Sequence, residues 1–190
     1  AQVHIVCERE RAELWHEVID GIFVHRVRSP YNVFALAELR RLNKLTGFDV
    51  VHAHQTSGIA YPFLRKMIGG NRFVLHVHGT AKGMLKAYHR LMRRIPFRIL
   101  LQTNASILRQ EIMWKNADAI MAVSNFIKRE LVELYKIPSG KIHVVNNGVD
   151  ISLFYPQPSS KQIKKALVVD EKSHLILYLG GFRPIKGPSL

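Results

Sequence analysis

The sequence predicts an α/β protein with a parallel sheet and helices on both faces. Three observations carry that expectation. Short apolar runs alternate with longer stretches of helical period, the order expected of βαβ units. Several runs are almost continuously apolar, as strands covered on both faces should be. Turn residues, such as Gly69-Gly70-Asn71 and Pro138-Ser139-Gly140, fall between the runs rather than within them.

Taken in chain order, strands are expected at residues 3–7, 22–27, 50–54, 73–78, 119–124 and 142–146. A helix is expected over 33–43 and another over 57–67, with Pro62 marking a bend or a late start. Residues 85–114 are helical in pattern, but Pro96 should divide them into two pieces. A further helix over 125–135 has Ser124 as its cap and ends before Ile137-Pro138. Pro156-Gln157-Pro158-Ser159-Ser160 then reads as a linker, followed by a short helix at 160–167 and a strand at 174–179. The chain is thus expected to hold one domain over residues 1–150 and the opening of a second α/β domain over 151–190. The first strand runs into Glu8-Arg9-Glu10-Arg11 rather than a glycine-rich turn, so the first domain is expected to lack its first strand.

Composition narrows the class. The chain has 190 residues, 47% hydrophobic and 22% charged, which suits a globular protein. No apolar stretch approaches the roughly 18 residues of a membrane span. Cys7 is the single cysteine, so no internal disulfide can form, and a reducing cytoplasm is the simplest expected location. Lys and Arg number 28 against 14 acids. Residues 50–110 contain ten of these cations and no Asp or Glu, a pattern that attracts phosphates on a substrate, a nucleic acid or an anionic membrane.

Ligands of open parallel sheets bind beyond the carboxyl ends of the strands. Four consecutive strand ends here are polar: His52-Ala53-His54-Gln55, His76-Val77-His78-Gly79-Thr80, Val123-Ser124-Asn125 and Asn146-Asn147-Gly148. His54 and His78 are the outermost histidines and should lie nearest the crevice. Each residue alone has an ordinary structural role: Ser124 as a helix cap, Gly148 as a turn residue, His52 and His76 as core histidines. Their convergence on one edge is what points to a site. A second cluster is Gly180-Gly181-Phe182-Arg183-Pro184-Ile185-Lys186-Gly187, where glycines, two cations and an incipient helix fit a diphosphate.

Five ordered stretches resemble the retaining glycosyltransferases of family 4 (group 1), which have the GT-B fold. They are residues 48–54, His78-Gly79-Thr80, residues 117–124, residues 141–150, and Gly180-Gly181 with Lys186-Gly187. The resemblance covers nearly the whole chain. It implies two Rossmann-like domains facing across a cleft, with the N-terminal one on the acceptor side. It further implies sugar transfer from a nucleotide-diphosphate donor with retention of configuration, with no cofactor, no metal and no fixed enzymatic nucleophile. By resemblance, His78 lies near the transferred sugar and is the catalytic-site candidate. His54, Gln55, Ser124, Asn147 and Gly148 line the acceptor side and cleft floor, and Gly180, Gly181, Arg183 and Lys186 meet the donor diphosphate. This sequence has Gly181 where the family commonly has Arg, so Arg183 or backbone N–H groups would have to substitute. The paired-glutamate motif of the family would lie beyond Leu190, and the 190 residues alone are expected to be inactive.

Expected partners are a nucleotide sugar and a carbohydrate or lipid-linked acceptor. An anionic membrane is a further expected partner through residues 82–98, which run from Lys82 to Arg98 with six cations among apolar residues. That would place the protein at the inner membrane face as a peripheral protein. Two other classes fit parts of the pattern. The His-x-His strand ends suit a metal-dependent hydrolase, but no carboxylate follows at a natural spacing. The basic face suits a nucleic-acid-binding module, but its aromatics (Tyr61, Phe63, Phe73, Tyr88 and Phe97) are sparse and several fit core positions, so no nucleic-acid partner is expected.

Overall fold

The computed structural model describes residues 1–10, 13–92, 94–156, 161–167, 170, 172–174 and 176–181. Strands β1 (His4–Glu8), β2 (His16–Ile19) and β3 (Ile22–Val27) lead into helix α1 (Tyr31–Thr46). Then come β4 (Val50–His54), α2 (Tyr61–Ile68), β5 (Arg72–Val77), α3 (Ala81–Leu91), α4 (Phe97–Asn116), β6 (Ala119–Ala122) and α5 (Asn125–Tyr135). A short 3-10 turn, Ser139–Lys141, precedes β7 (Ile142–Val144), and α6 (Lys161–Ala166) follows.

Strands β4, β5, β6 and β7 form a parallel sheet in sequence order, and β1, β3 and β2 form a second sheet. This is the expected α/β, Rossmann-like architecture. Three parallel crossovers running in the same direction put their helices on one face, because such crossovers are right-handed. Burial follows that rule. Val51, Ala53, Phe73, Leu75, Val77, Ile120, Ala122 and Ile142 form one core with Tyr61 and Ile68 of α2, Met113 and Trp114 of α4, and Ile127, Leu131 and Tyr135 of α5. The alternate positions, including His52, His54, His76 and His143, are exposed or half-buried. A fully buried side chain of the size of Leu131 contributes about 1.5–3 kcal/mol, so this layer supplies much of the driving force.

Both prolines act as the sequence anticipates. Pro62 lies in the first turn of α2, giving a late helix start, and Pro96 separates α3 from α4. Strand β2 was not expected. It is only four residues long and forms a hairpin with β3, turning through Asp20 and Gly21, both at positive φ (50° and 78°). That Asp-Gly pair is the strong hairpin signal in this part of the sequence. Of the segment expected as a strand at 174–179, the described residues 174 and 176–179 carry no strand assignment, and Ile176, Leu177 and Leu179 are exposed.

Candidate functional site at the carboxyl ends of β4 and β5

β4 and β5 pair in parallel with His54 opposite His76, and each strand continues past that pair into a polar turn. The Gln55 N–H donates to the His76 carbonyl at 2.9 Å, so the two strand ends stay joined beyond the last regular pair. Gln55 has φ 54°, a left-handed conformation that turns its side chain back across the neighbouring strand end. With the amide oriented to satisfy both groups, its oxygen accepts from the N–H groups of His78 and Gly79, each at 2.9 Å. Ser57 closes the other side: its hydroxyl donates to the His54 carbonyl at 2.6 Å and accepts from the His54 N–H at 3.2 Å.

On this scaffold His54 Nδ1 lies 3.1 Å from His78 Nε2, and the two rings stack at a centroid distance of 5.4 Å. His76 and His78 stack at 4.5 Å, and the tilted rings of His52 and His54 are 4.9 Å apart, so four imidazoles form one patch. Burial pushes the His52 imidazole down, aided by His54. Burial also pushes His76 down, aided by His78, His54 and His52. These two rings are therefore neutral near pH 7. His76 Nε2 is buried and has no hydrogen-bond partner. His54 and His78 are exposed at the open side of the patch, where a ligand can reach them.

The helix after His78 is held by side chains distant in sequence. Gln110 Oε1 accepts from the Ala81 N–H at 2.8 Å and from the Tyr135 hydroxyl at 2.7 Å. The Tyr135 oxygen accepts from the Lys82 N–H at 3.0 Å, and Thr80 Oγ1 accepts from the Gly83 N–H at 2.9 Å. The first three N–H groups of α3 are thus all occupied, so this helix start positions the His78 turn and does not receive an anion. Burial pushes the Tyr135 phenol up to about 12, which keeps it neutral and able to donate to Gln110. The Thr80 hydroxyl in turn donates to Glu130 Oε2 at 2.6 Å, tying the turn to α5. Gln110 and Glu130 were not singled out from the sequence, and Thr80 stood there only within the His78-Gly79-Thr80 strand end, without its capping role.

The other expected site residues are placed as follows. Ser124 caps α5, accepting from the Ile127 N–H at 3.2 Å, its ordinary structural role. Asn147 and Gly148 are exposed beyond β7, on the same sheet edge as His54 and His78, but two strands away from β5. Among the described residues no hydrogen bond links them to the histidines. Gly180 and Gly181 are exposed, and the Tyr178 hydroxyl donates to the Gly181 carbonyl at 2.9 Å. Arg183 and Lys186 lie outside the described residues.

The basic segment differs from expectation in one respect. Lys82 faces inward, its Nζ donating to Glu111 Oε1 at 2.6 Å and to the Leu134 carbonyl at 2.8 Å. It also lies 4.6 Å from the centroid of the Tyr135 ring. Lys86, Arg90, Arg94 and Arg98 are exposed, whereas Leu85, Ala87 and Tyr88 of α3 are half-buried in the protein. Lys86 and Arg90 line a groove between α3 and α5 with Phe126, Arg129 and Glu130. Of the aromatics on the basic face, Tyr61 and Phe73 are fully buried. No helix among the described residues is long and apolar enough to cross a membrane.

Comparison with known proteins gives the family. The chain is 33% identical over 191 residues to a D-inositol 3-phosphate glycosyltransferase of Kribbella flavida, covering 92% of this chain and 43% of that protein. It is 28% identical over 144 residues to a protein of the same name from Streptosporangium roseum, covering 75% of this chain and 31% of the relative. The chain therefore spans between about a third and under a half of the length of these relatives. The sequence profile of Glycosyltransferase Family 4 matches residues 1–153. With the parallel sheet and its polar carboxyl edge, that match establishes that the chain belongs to Glycosyltransferase Family 4.

Proposed function

We propose that the whole protein transfers a sugar, with retention of configuration, from a nucleoside-diphosphate donor to an acceptor bound against the carboxyl edge of β4 and β5. The observation that carries this reading is the His78 strand end, where an exposed imidazole is fixed by His54 at 3.1 Å while Gln55 holds its backbone. Residues 1–150 supply the acceptor side, and 151–190 lead into the donor domain. His78 contacts a hydroxyl of the transferred sugar, and His54 and Gln55 orient it. Arg183 and Lys186 offset the charge that develops on the departing diphosphate, as positioned cations do in such reactions.

The relatives are named for D-inositol 3-phosphate, which supports a phosphorylated polyol as acceptor. An acid-free basic stretch over residues 50–110 suits that charge. The test is release of nucleoside diphosphate by the full-length protein from a panel of nucleotide sugars, with and without inositol phosphates. Release that requires both substrates supports the reading. Release that requires only water, or none with any pair, overturns it.

We further propose that the protein works at an anionic membrane surface through Lys86, Arg90, Arg94 and Arg98. Their apolar companions at the surface are Met84, Phe97 and Leu101, the last two 77% and 60% exposed. Each surface cation adds about 1 kcal/mol of attraction, enough in combination for reversible binding. Co-sedimentation with anionic vesicles should fall with salt and drop when Arg90, Arg94 and Arg98 are changed to Ser. Equal partitioning onto neutral and anionic vesicles, or onto neither, would contradict it.

A further inference from the structure

A second group of metal-type donors sits on the β1-β3-β2 sheet, apart from the strand-end site. His16 of β2 and His25 of β3 are directly opposite in antiparallel register, so their side chains share one face of the sheet. Helix α1 packs against β1 and β3 and brings Glu38 to them. One donor atom from each of His16, His25 and Glu38 lies within 4.8 Å of the others. An ion with bonds of about 2.0–2.1 Å would draw the donors to about 3.4 Å of one another, a shift that side-chain rotation can supply.

The orientation of these groups is more telling than their proximity. His25 is only 8% exposed, and its Nδ1 is buried without a hydrogen bond although it lies 3.3 Å from Glu38 Oε1. A buried ring nitrogen normally finds a partner, so an unpaired one aimed at a carboxylate needs a reason. The opposite nitrogen, Nε2, is 3.0 Å from His4 Nδ1. In the tautomer whose Nε2–H donates to His4, Nδ1 offers a lone pair on the side of Glu38. Arg41 grips the same carboxylate, donating from Nε to Oε2 at 2.9 Å and from Nη2 to Oε1 at 2.6 Å. Metal-binding histidines and carboxylates are characteristically held in this way by outer hydrogen bonds.

We propose that His16, His25 and Glu38 form a binding site for one divalent transition ion of the zinc class, with His4 and Arg41 orienting the ligands. Two imidazoles and one carboxylate suit zinc, cobalt or nickel, whereas magnesium and calcium require several hard oxygens. The ion joins the β2–β3 hairpin to α1 and is structural: it lies away from the strand ends where sugar transfer is proposed.

The test uses the full protein, stripped with a chelator and titrated with Zn2+ by calorimetry, with thermal unfolding measured in parallel. His16 is exposed on an edge strand, so His16→Gln should fold normally and match the metal-free wild type in circular dichroism. The wild type should bind one ion that is lost, or weakened at least about 10-fold, in both His16→Gln and Glu38→Gln. Zinc should raise the unfolding temperature of the wild type but not of His16→Gln. Because His52, His54 and His76 also lie within 4.8 Å of one another, His52→Gln and His54→Gln serve as controls and should keep the site. Absence of zinc binding, unchanged binding by His16→Gln, or loss only in the His52 and His54 variants would overturn the proposal.

Discussion

His54 Nδ1 and His78 Nε2 are 3.1 Å apart, within hydrogen-bond distance, so each exposed ring fixes the orientation of the other. A hydrogen bond between two imidazoles needs one donor nitrogen and one acceptor nitrogen. The register that places His54 opposite His76 brings the His78 ring, one step further on, over His54.

If His54 acts on the sugar only through His78, their effects cannot add. His54→Ala should lower kcat/KM of the full-length enzyme, and adding it to His78→Ala should lower it little further. Steady-state kinetics on the two single variants and the double variant checks this. Fully additive losses would mean that His54 has an independent role.

The cap of α3 makes a stability prediction. Gln110→Ala leaves the buried Ala81 N–H and the Tyr135 hydroxyl without their acceptor, which should cost about 1–3 kcal/mol. Urea unfolding of the variant measures it. Combining it with Tyr135→Phe should cost less than the sum, because both changes break one network.

Gly83 tests the contact between α3 and α5. A Cβ there would fall against the Glu130 carboxylate, which the Thr80 hydroxyl holds in place. Gly83→Ala should therefore destabilise the wild type. In a Glu130→Ala background the same change should stabilise by about 0.5–1 kcal/mol, the usual helix gain over glycine. Thermal unfolding of the four proteins shows whether the sign reverses.

Asp118 sets an acid limit. Burial pushes its carboxyl up, but the Phe73 N–H and the Arg65 guanidinium, both 2.7 Å from Oδ2, outweigh this and hold it below the ordinary range. A carboxyl lowered by folding stabilises the native state above its unfolded pKa, about 3.9. That contribution disappears as pH falls from there through the folded value. Asp118→Asn should be less stable than wild type at pH 6, and the gap should narrow below about pH 4. Unfolding temperatures across that range provide the check.

Much of the sheet was legible because its strands carry dense apolar runs and its helices start or break at Pro62 and Pro96. The β2–β3 hairpin was equally legible at Asp20-Gly21, but the short run from His16 to Ile19 between charged residues hid it. At the site, the sequence pointed to His54, Gln55 and His78, because strand ends can be read from periodicity. It could not show that His54 contacts His78 or that Gln110, 29 residues from Ala81, caps α3, since both depend on packing between elements. Lys82 looked like a surface cation for the same reason, its inward partners being on α4 and α5.

The proposed activity depends most directly on His78. In the full-length protein, sugar transfer from the nucleotide-sugar donor it accepts should be compared between wild type and His78→Ala, with the unfolding temperature of each recorded. Transfer should fall by about 10²-fold or more, as when a hydrogen bond made to the transition state is removed, and the unfolding temperature should hardly change because the His78 ring is exposed. Transfer at the wild-type rate by a normally folded His78→Ala protein would contradict the placement of the transferred sugar at this strand end.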